Sequence, residues 1–155
     1  MTDIEKAIIE DMHLALRSEL GARTIYPLLR RVTRDAELKR VLEKLYDDEV
    51  EQVRRMRGLM KELGARPPAW SFRRTLASWA VALATPIFGM RFALRLCHDA
   101  ESAVARWYGA YRDHFMERGE TEHGQLCDEL SKTKTRHAQN LGAWVQNVPF
   151  RRLMR

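Results

Sequence analysis

Four stretches of the chain carry apolar residues at alternating steps of three and four, and each stripe is broken near its middle by an ionisable residue. The first reads Ile8, Met12, Ala15, Glu19, Ala22, Tyr26. The second reads Leu38, Leu42, Leu45, Glu49, Gln52, Met56, then Leu59 or Met60, and Leu63. The third reads Leu94, Cys97, Glu101, then Val104 or Ala105, Tyr108 and Phe115. The fourth reads Leu130, Lys134, His137, Leu141, Trp144. Such steps trace one face of an α-helix. A face that is apolar above and below a Glu or a Lys buries that group along with its neighbours. An unpaired buried ion is severely destabilising, so the four interruptions are expected to meet. That requirement restricts the chain to a bundle whose four helices turn these faces inward at one level.

Punctuation sets the boundaries. Thr2 with Glu5 forms a capping box that opens the first helix, at about residue 3. This helix runs to about residue 30, and Pro27 kinks it or ends it early. The second helix covers about 36 to 63, where "LGARPP" stops it, with Gly64 as the cap. The third covers about 91 to 117, "ERGE" interrupts, and the fourth covers about 121 to 146. A basic tail, 147 to 155, follows. The first–second and third–fourth links are short, while the apolar second–third link, 66 to 90, is long. The expected fold is therefore all-α, a single ferritin-like up-down four-helix bundle with one long crossover.

The net charge of +6 is unevenly placed. Residues 1 to 65 carry 13 basic and 13 acidic side chains, residues 66 to 95 carry five arginines and no acid, and residues 96 to 155 carry nine basic and eight acidic. Thr75 to Met90 has no charge, yet its sixteen residues, interrupted by "PIFG", are too short to span a membrane. The segment reads as an apolar surface fringed by arginine, with Trp70, Arg73, Arg74, Trp79, Phe88 and Arg91 as candidate contacts to a membrane or lipid. A basic module for nucleic acid or a protein partner is the weakest alternative, because acids interleave with the basic residues on the helices and no nucleic-acid motif is present. The polar, acidic start lacks a secretory signal. Two cysteines, Cys97 and Cys127, suggest neither a disulfide framework nor a metal cluster. The expected location is cytoplasmic, peripheral on the inner face of the membrane.

Glu19, Glu49, Glu101 and His137 are the candidate centre. The di-iron carboxylate plan uses one Glu from each of two helices and a Glu-x-x-His from each of the other two. Here Glu49 is followed three residues on by Gln52, and His137 is preceded by Lys134, so four of six ligands are present. Gln52 is a weak neutral ligand or a neighbour of the ligands. Lys134, placed among carboxylates, would supply the charge that a metal otherwise supplies. A rival register pairs His137 with Asn140; it too lacks a carboxylate from the last helix. Iron is the expected cofactor, as two ions with a full ligand set and as one or none with this set.

Several short motifs carry a resemblance. "SELGARTIY" (18–26), "DDEVEQ" (47–52), "LGARPPAW" (63–70) and "HDAESAVARWY" (98–108) resemble the helix motifs of the demethoxyubiquinone hydroxylase family. The intervals of 30 from Glu19 to Glu49 and 52 from Glu49 to Glu101 are similar to that family's. The resemblance covers about residues 15 to 141 and is weakest in "LSKTKTRHAQNL", which has no acid before His137. It implies a di-iron monooxygenase of ubiquinone biosynthesis, bound to membranes through the crossover, that hydroxylates a quinone ring. It also implies that Glu19, Glu49 and Glu101 match ligands. His137 matches the last-helix histidine if Lys134 stands at the glutamate position, and Tyr26 and Tyr108 match aromatic neighbours of the site. The expectation is a ferritin-like protein with an altered or lost metal site that acts on or binds a membrane quinone or other lipid. If it is an enzyme, it is an oxidoreductase that activates oxygen at Glu19, Glu49, Glu101 and His137. The alternative is a metal-free lipid-binding or accessory protein with a Lys–carboxylate core. Expected partners are a quinone or lipid-like molecule, a membrane surface through 66 to 95, and a second copy of the chain.

Overall fold

The structure, a computed structural model, describes residues 3 to 147, with side chains from residue 6 onward. The capping box of Thr2 and Glu5 and the basic tail beyond Asn147 lie outside the described residues. Within them are five helices and no strand: α1 (Asp3–Val32), α2 (Ala36–Glu62), α3 (Phe72–Phe88), α4 (Met90–Glu117) and α5 (Thr121–Asn147). Helix α1 packs on α2 and α4 on α5. Further contacts of α1 with α4 and of α2 with α5 close a four-helix ring, and α3 lies across α1 and α4. The all-α, ferritin-like bundle expected from the four stripes is the fold observed, and its long crossover is itself helical.

Local sequence explains the element ends. Asp35 caps α2, its carboxylate accepting from the N–H groups of Glu37 and Leu38 at 2.9 and 3.0 Å. Gly64, at φ 77°, turns the chain out of α2, and the Ala65 N–H donates back to the Met60 carbonyl at 2.8 Å. Pro27 does not end α1, which continues to Val32. A proline removes one backbone donor, while Ile25, Tyr26, Leu28 and Leu29 on either side of it are buried and hold the last turns in place.

Helix α3 is inside out. Its buried residues are the small ones, Ser78, Ala82 and Thr85. Ser78 Oγ donates to the Gly21 carbonyl of α1 at 3.0 Å. A Cβ at Gly21 would stand 3.3 Å from the Arg74 Cβ, so the missing side chain lets α3 approach closely. The large side chains of α3 face outward: Phe72, Leu76, Trp79, Leu83 and Ile87 are 47% to 70% exposed. No helix among the described residues is long and apolar enough to cross a membrane.

The core divides into two apolar clusters. One gathers Met12, Leu16, Val53, Met56, Tyr108, Phe115 and Leu130. The other gathers Tyr26, Leu29, Leu38, Leu42, Leu94 and Leu141. On the stripes, Glu19, Glu49, Glu101, Lys134 and His137 fall between them and are buried. Trp144 packs against the second cluster from its edge. It is only half-buried, and the next residue, Val145, takes the inward position in the last turn of α5. Leu42, fully buried, tests this division: Leu42→Ala is expected to cost about 2–5 kcal/mol in urea unfolding, whereas Leu83→Ala on the outer face of α3 costs within about 0.5 kcal/mol.

Candidate functional site

Each helix of the ring delivers one part of a buried polar centre. Glu19 comes from α1, Glu49 from α2, Glu101 from α4, and Lys134 and His137 from α5. All five are at most 3% exposed. The Lys134 ammonium is their hub. Its Nζ lies 2.8 Å from Glu19 Oε2 and 3.1 Å from Glu101 Oε2, and it donates to Glu49 Oε1. Glu19 Oε2 and Glu101 Oε2 are held to this ammonium as ion pairs. Two phenols complete the set from opposite sides: Tyr26 donates to Glu101 Oε1 at 2.6 Å and Tyr108 to Glu19 Oε1 at 2.5 Å.

His137 faces two ways. Its Nδ1 is 3.4 Å from both Glu49 Oε1 and Glu101 Oε2, and its Nε2 is 2.9 Å from Asp48 Oδ2. Asp48 thus fixes the ring from behind, in the manner of carboxylates that orient metal-binding histidines. It is the one contributor that the stripes do not reveal. One residue along a helix is a rotation of about 100°, so Asp48 stands beside the inward face that Glu49 occupies and reaches the neighbouring α5. Gln52 is buried on that face, yet neither its Nε2 nor its Oε1 has a hydrogen-bond partner among the described residues. His98 and His123 pair with surface acids elsewhere.

Electrostatics follow from the packing. Burial, then the charges of Glu101 and Glu19, push Glu49 well above the usual carboxylate range despite the pull of Lys134. Burial also acts to raise Glu101, but the Lys134 charge, the His137 contact and the Tyr26 hydrogen bond outweigh it and hold this carboxyl at about 2. For Lys134, burial opposes the charge, and the three glutamates together more than compensate, keeping the ammonium raised. Burial and the adjacent carboxylates raise both phenols, so Tyr26 and Tyr108 remain proton donors.

A cavity of about 150 Å³ opens beside the centre, between α1, α3 and α4. Tyr26, Glu101 and Lys134 line it on the bundle side, Ile25, Val81, Leu96 and Val104 give it apolar walls, and the buried Ser78 and exposed Arg74 of α3 border it. Among the expected lipid contacts, Trp70, Trp79 and Phe88 are exposed, as are Arg73, Arg74 and Arg91.

A four-helix ring with facing carboxylates, a histidine and a helical crossover defines a ferritin-like carboxylate bundle. Over residues 12–145 the sequence matches the family described as ubiquinone biosynthesis protein COQ7, and the chain belongs to that family. No curated protein and no solved structure matched it. The family suggests a ubiquinone-biosynthesis hydroxylase and is one of di-iron proteins.

The residues present do not fit a pair of iron ions. Glu49, Glu101 and His137 each bring a donor atom within 4.8 Å of the others. An ion bound to those oxygens at about 2 Å would compete for the space of the Lys134 ammonium, which already sits against the same two glutamates. Helix α2 supplies an amide, Gln52, where a second histidine is needed, and α5 supplies no carboxylate.

The depressed Glu101 gives a pH signature. Its pKa falls from the ordinary 4.5 to about 2 in the folded chain. A lowered carboxyl stabilises the fold above its unfolded value and loses that contribution as pH falls through the folded one. Glu101→Gln is therefore expected to destabilise at neutral pH, and its gap from the wild type should narrow between about pH 5 and pH 2 in denaturant titrations. A gap independent of pH would contradict this account of Glu101.

Proposed function

We propose that this chain is a quinone- or lipid-binding member of the COQ7 family with an altered metal centre, working at a membrane surface. The observation that carries the reading is the cavity between α1, α3 and α4. It is the size of a ring or a short length of acyl chain, it has apolar walls, and it ends at the tyrosine, glutamate and lysine of the buried centre. Oxygen chemistry at Glu19, Glu49, Glu101 and His137 would require the iron pair that this donor set does not fit. The reading therefore assigns the chain a binding or accessory role in the quinone pathway, without hydroxylation.

The outer face of α3 supports the membrane part. Its apolar stripe is exposed on the same helix that lines the cavity with Arg74, Ala77, Ser78 and Val81, and all five charged residues from 66 to 95 are arginines. Apolar side chains entering the acyl region and arginines meeting anionic headgroups make a peripheral binding face. A ligand could then pass from bilayer to cavity with little exposure to water. Self-association through the same stripe is the competing use.

Two measurements test the reading. Val81→Trp, which fills the cavity, is expected to weaken binding of a short-chain ubiquinone by at least about tenfold while the helical spectrum is unchanged. No quinone binding by the wild-type chain would sink the ligand assignment. Replacing Trp79, Leu83 and Ile87 together by Ser is expected to lower partitioning onto vesicles containing anionic lipid by more than about tenfold. Loss of dimer in light scattering, with vesicle binding untouched, would assign the stripe to a second copy instead.

A further inference from the structure

An ammonium group and a bound metal ion answer the same electrostatic need, which is to hold several carboxylates together out of water. We propose that Lys134 is a permanent, intramolecular replacement for the metal in this bundle, so that the chain reaches its native centre without a metal and excludes one.

Position is the first ground. Carboxylates from α1, α2 and α4 converge on one Nζ atom, at 2.8 Å for Glu19 and 3.1 Å for Glu101 and in direct hydrogen bond for Glu49. An ammonium has three N–H donors, and three carboxylates surround this one. The side chain is 1% exposed, so bulk solvent screens the contact little.

Charge is the second. A cluster of buried acids with no cation is severely destabilising, because the ions repel and lack hydration. In the two-metal plan the position three residues before the histidine of α5 is a glutamate. Here that position holds Lys134, which removes one negative charge and adds one positive charge. Gln52, at the other altered position, is neutral. Both departures lower the demand for an external cation.

The third ground is the role the geometry denies to Lys134. A lysine nucleophile needs a neutral amine with a free path to its target. This one has its Nζ turned into three glutamate side chains that occupy the approaches to it. Its place is structural, at the base of a cavity whose ligand meets carboxyl groups already paired with a cation.

The test uses the purified full-length chain and does not depend on quinone binding, so the two readings fail separately. After growth in iron-supplemented medium, and after equilibration with Co²⁺ and Mn²⁺, the wild type is expected to hold less than about 0.1 metal ion per chain, with its Tm unmoved by chelator or metal. About one ion or more per chain, with a metal-dependent rise in Tm, would overturn the proposal. The variant Lys134→Glu with Gln52→His restores the full ligand set. Its metal-free Tm is expected to fall by roughly 10 °C and to recover with Co²⁺, with visible Co²⁺ absorption bands. An unchanged metal-free Tm in that variant would also overturn the proposal. If the variant does not fold, Lys134→Gln gives the milder loss of charge, and the wild-type metal content decides the question alone.

Discussion

The structure depends on one ion cluster, the Lys134 ammonium among Glu19, Glu49 and Glu101. Each of these four groups comes from a different helix. Buried alone, any of them would cost several kcal/mol. Together they fix the rotation of all four helices of the ring, because each helix must turn its one charged position to the same point. The apolar clusters above and below then fill the space that this rotation leaves. Tyr26 and Tyr108 belong to those clusters through their rings and to the centre through their hydroxyls. A buried ion pair is weak evidence for stability, but here it sets register, and apolar packing supplies most of the favourable free energy.

His137 and Asp48 keep the arrangement by which a carboxylate orients a metal-binding histidine. The ring is backed by a carboxylate and directs its other nitrogen toward two glutamates, the arrangement of a histidine ready to ligate. One side of the centre thus keeps metal-site geometry, while the space between the glutamates holds an ammonium. The two features coexist because a positive group suits the carboxylates whether it is a metal ion or a side chain.

The periodicity of the sequence carried most of the fold. Stripes with single charged interruptions named Glu19, Glu49, Glu101, Lys134 and His137, and all five are buried in one place. The helical nature of the crossover was less legible. Its large residues face outward and its small residues face inward, so a pattern that expects bulk toward the core points the wrong way. Asp48 was missed for a related reason: it acts from the flank of the inward face, where a charged residue is indistinguishable from a solvated one. Trp144 packs on the core from its edge, and the more buried position in the last turn of α5 falls to Val145. Pro27 was read as a kink or an early end of a helix running to about residue 30; the helix continues to Val32, and packing on both sides of the proline outweighs one lost backbone bond.

The small inward face of α3 has a further consequence. Ser78, Ala82 and Thr85 remove little apolar area from water, so α3 is held to the bundle far less firmly than the four helices of the ring. Elements with few buried apolar contacts open at low free energy while the rest of a protein stays folded. Among the described helices, the one that roofs the cavity therefore lifts first, and its amide protons should exchange with solvent long before those of α1, α2, α4 and α5.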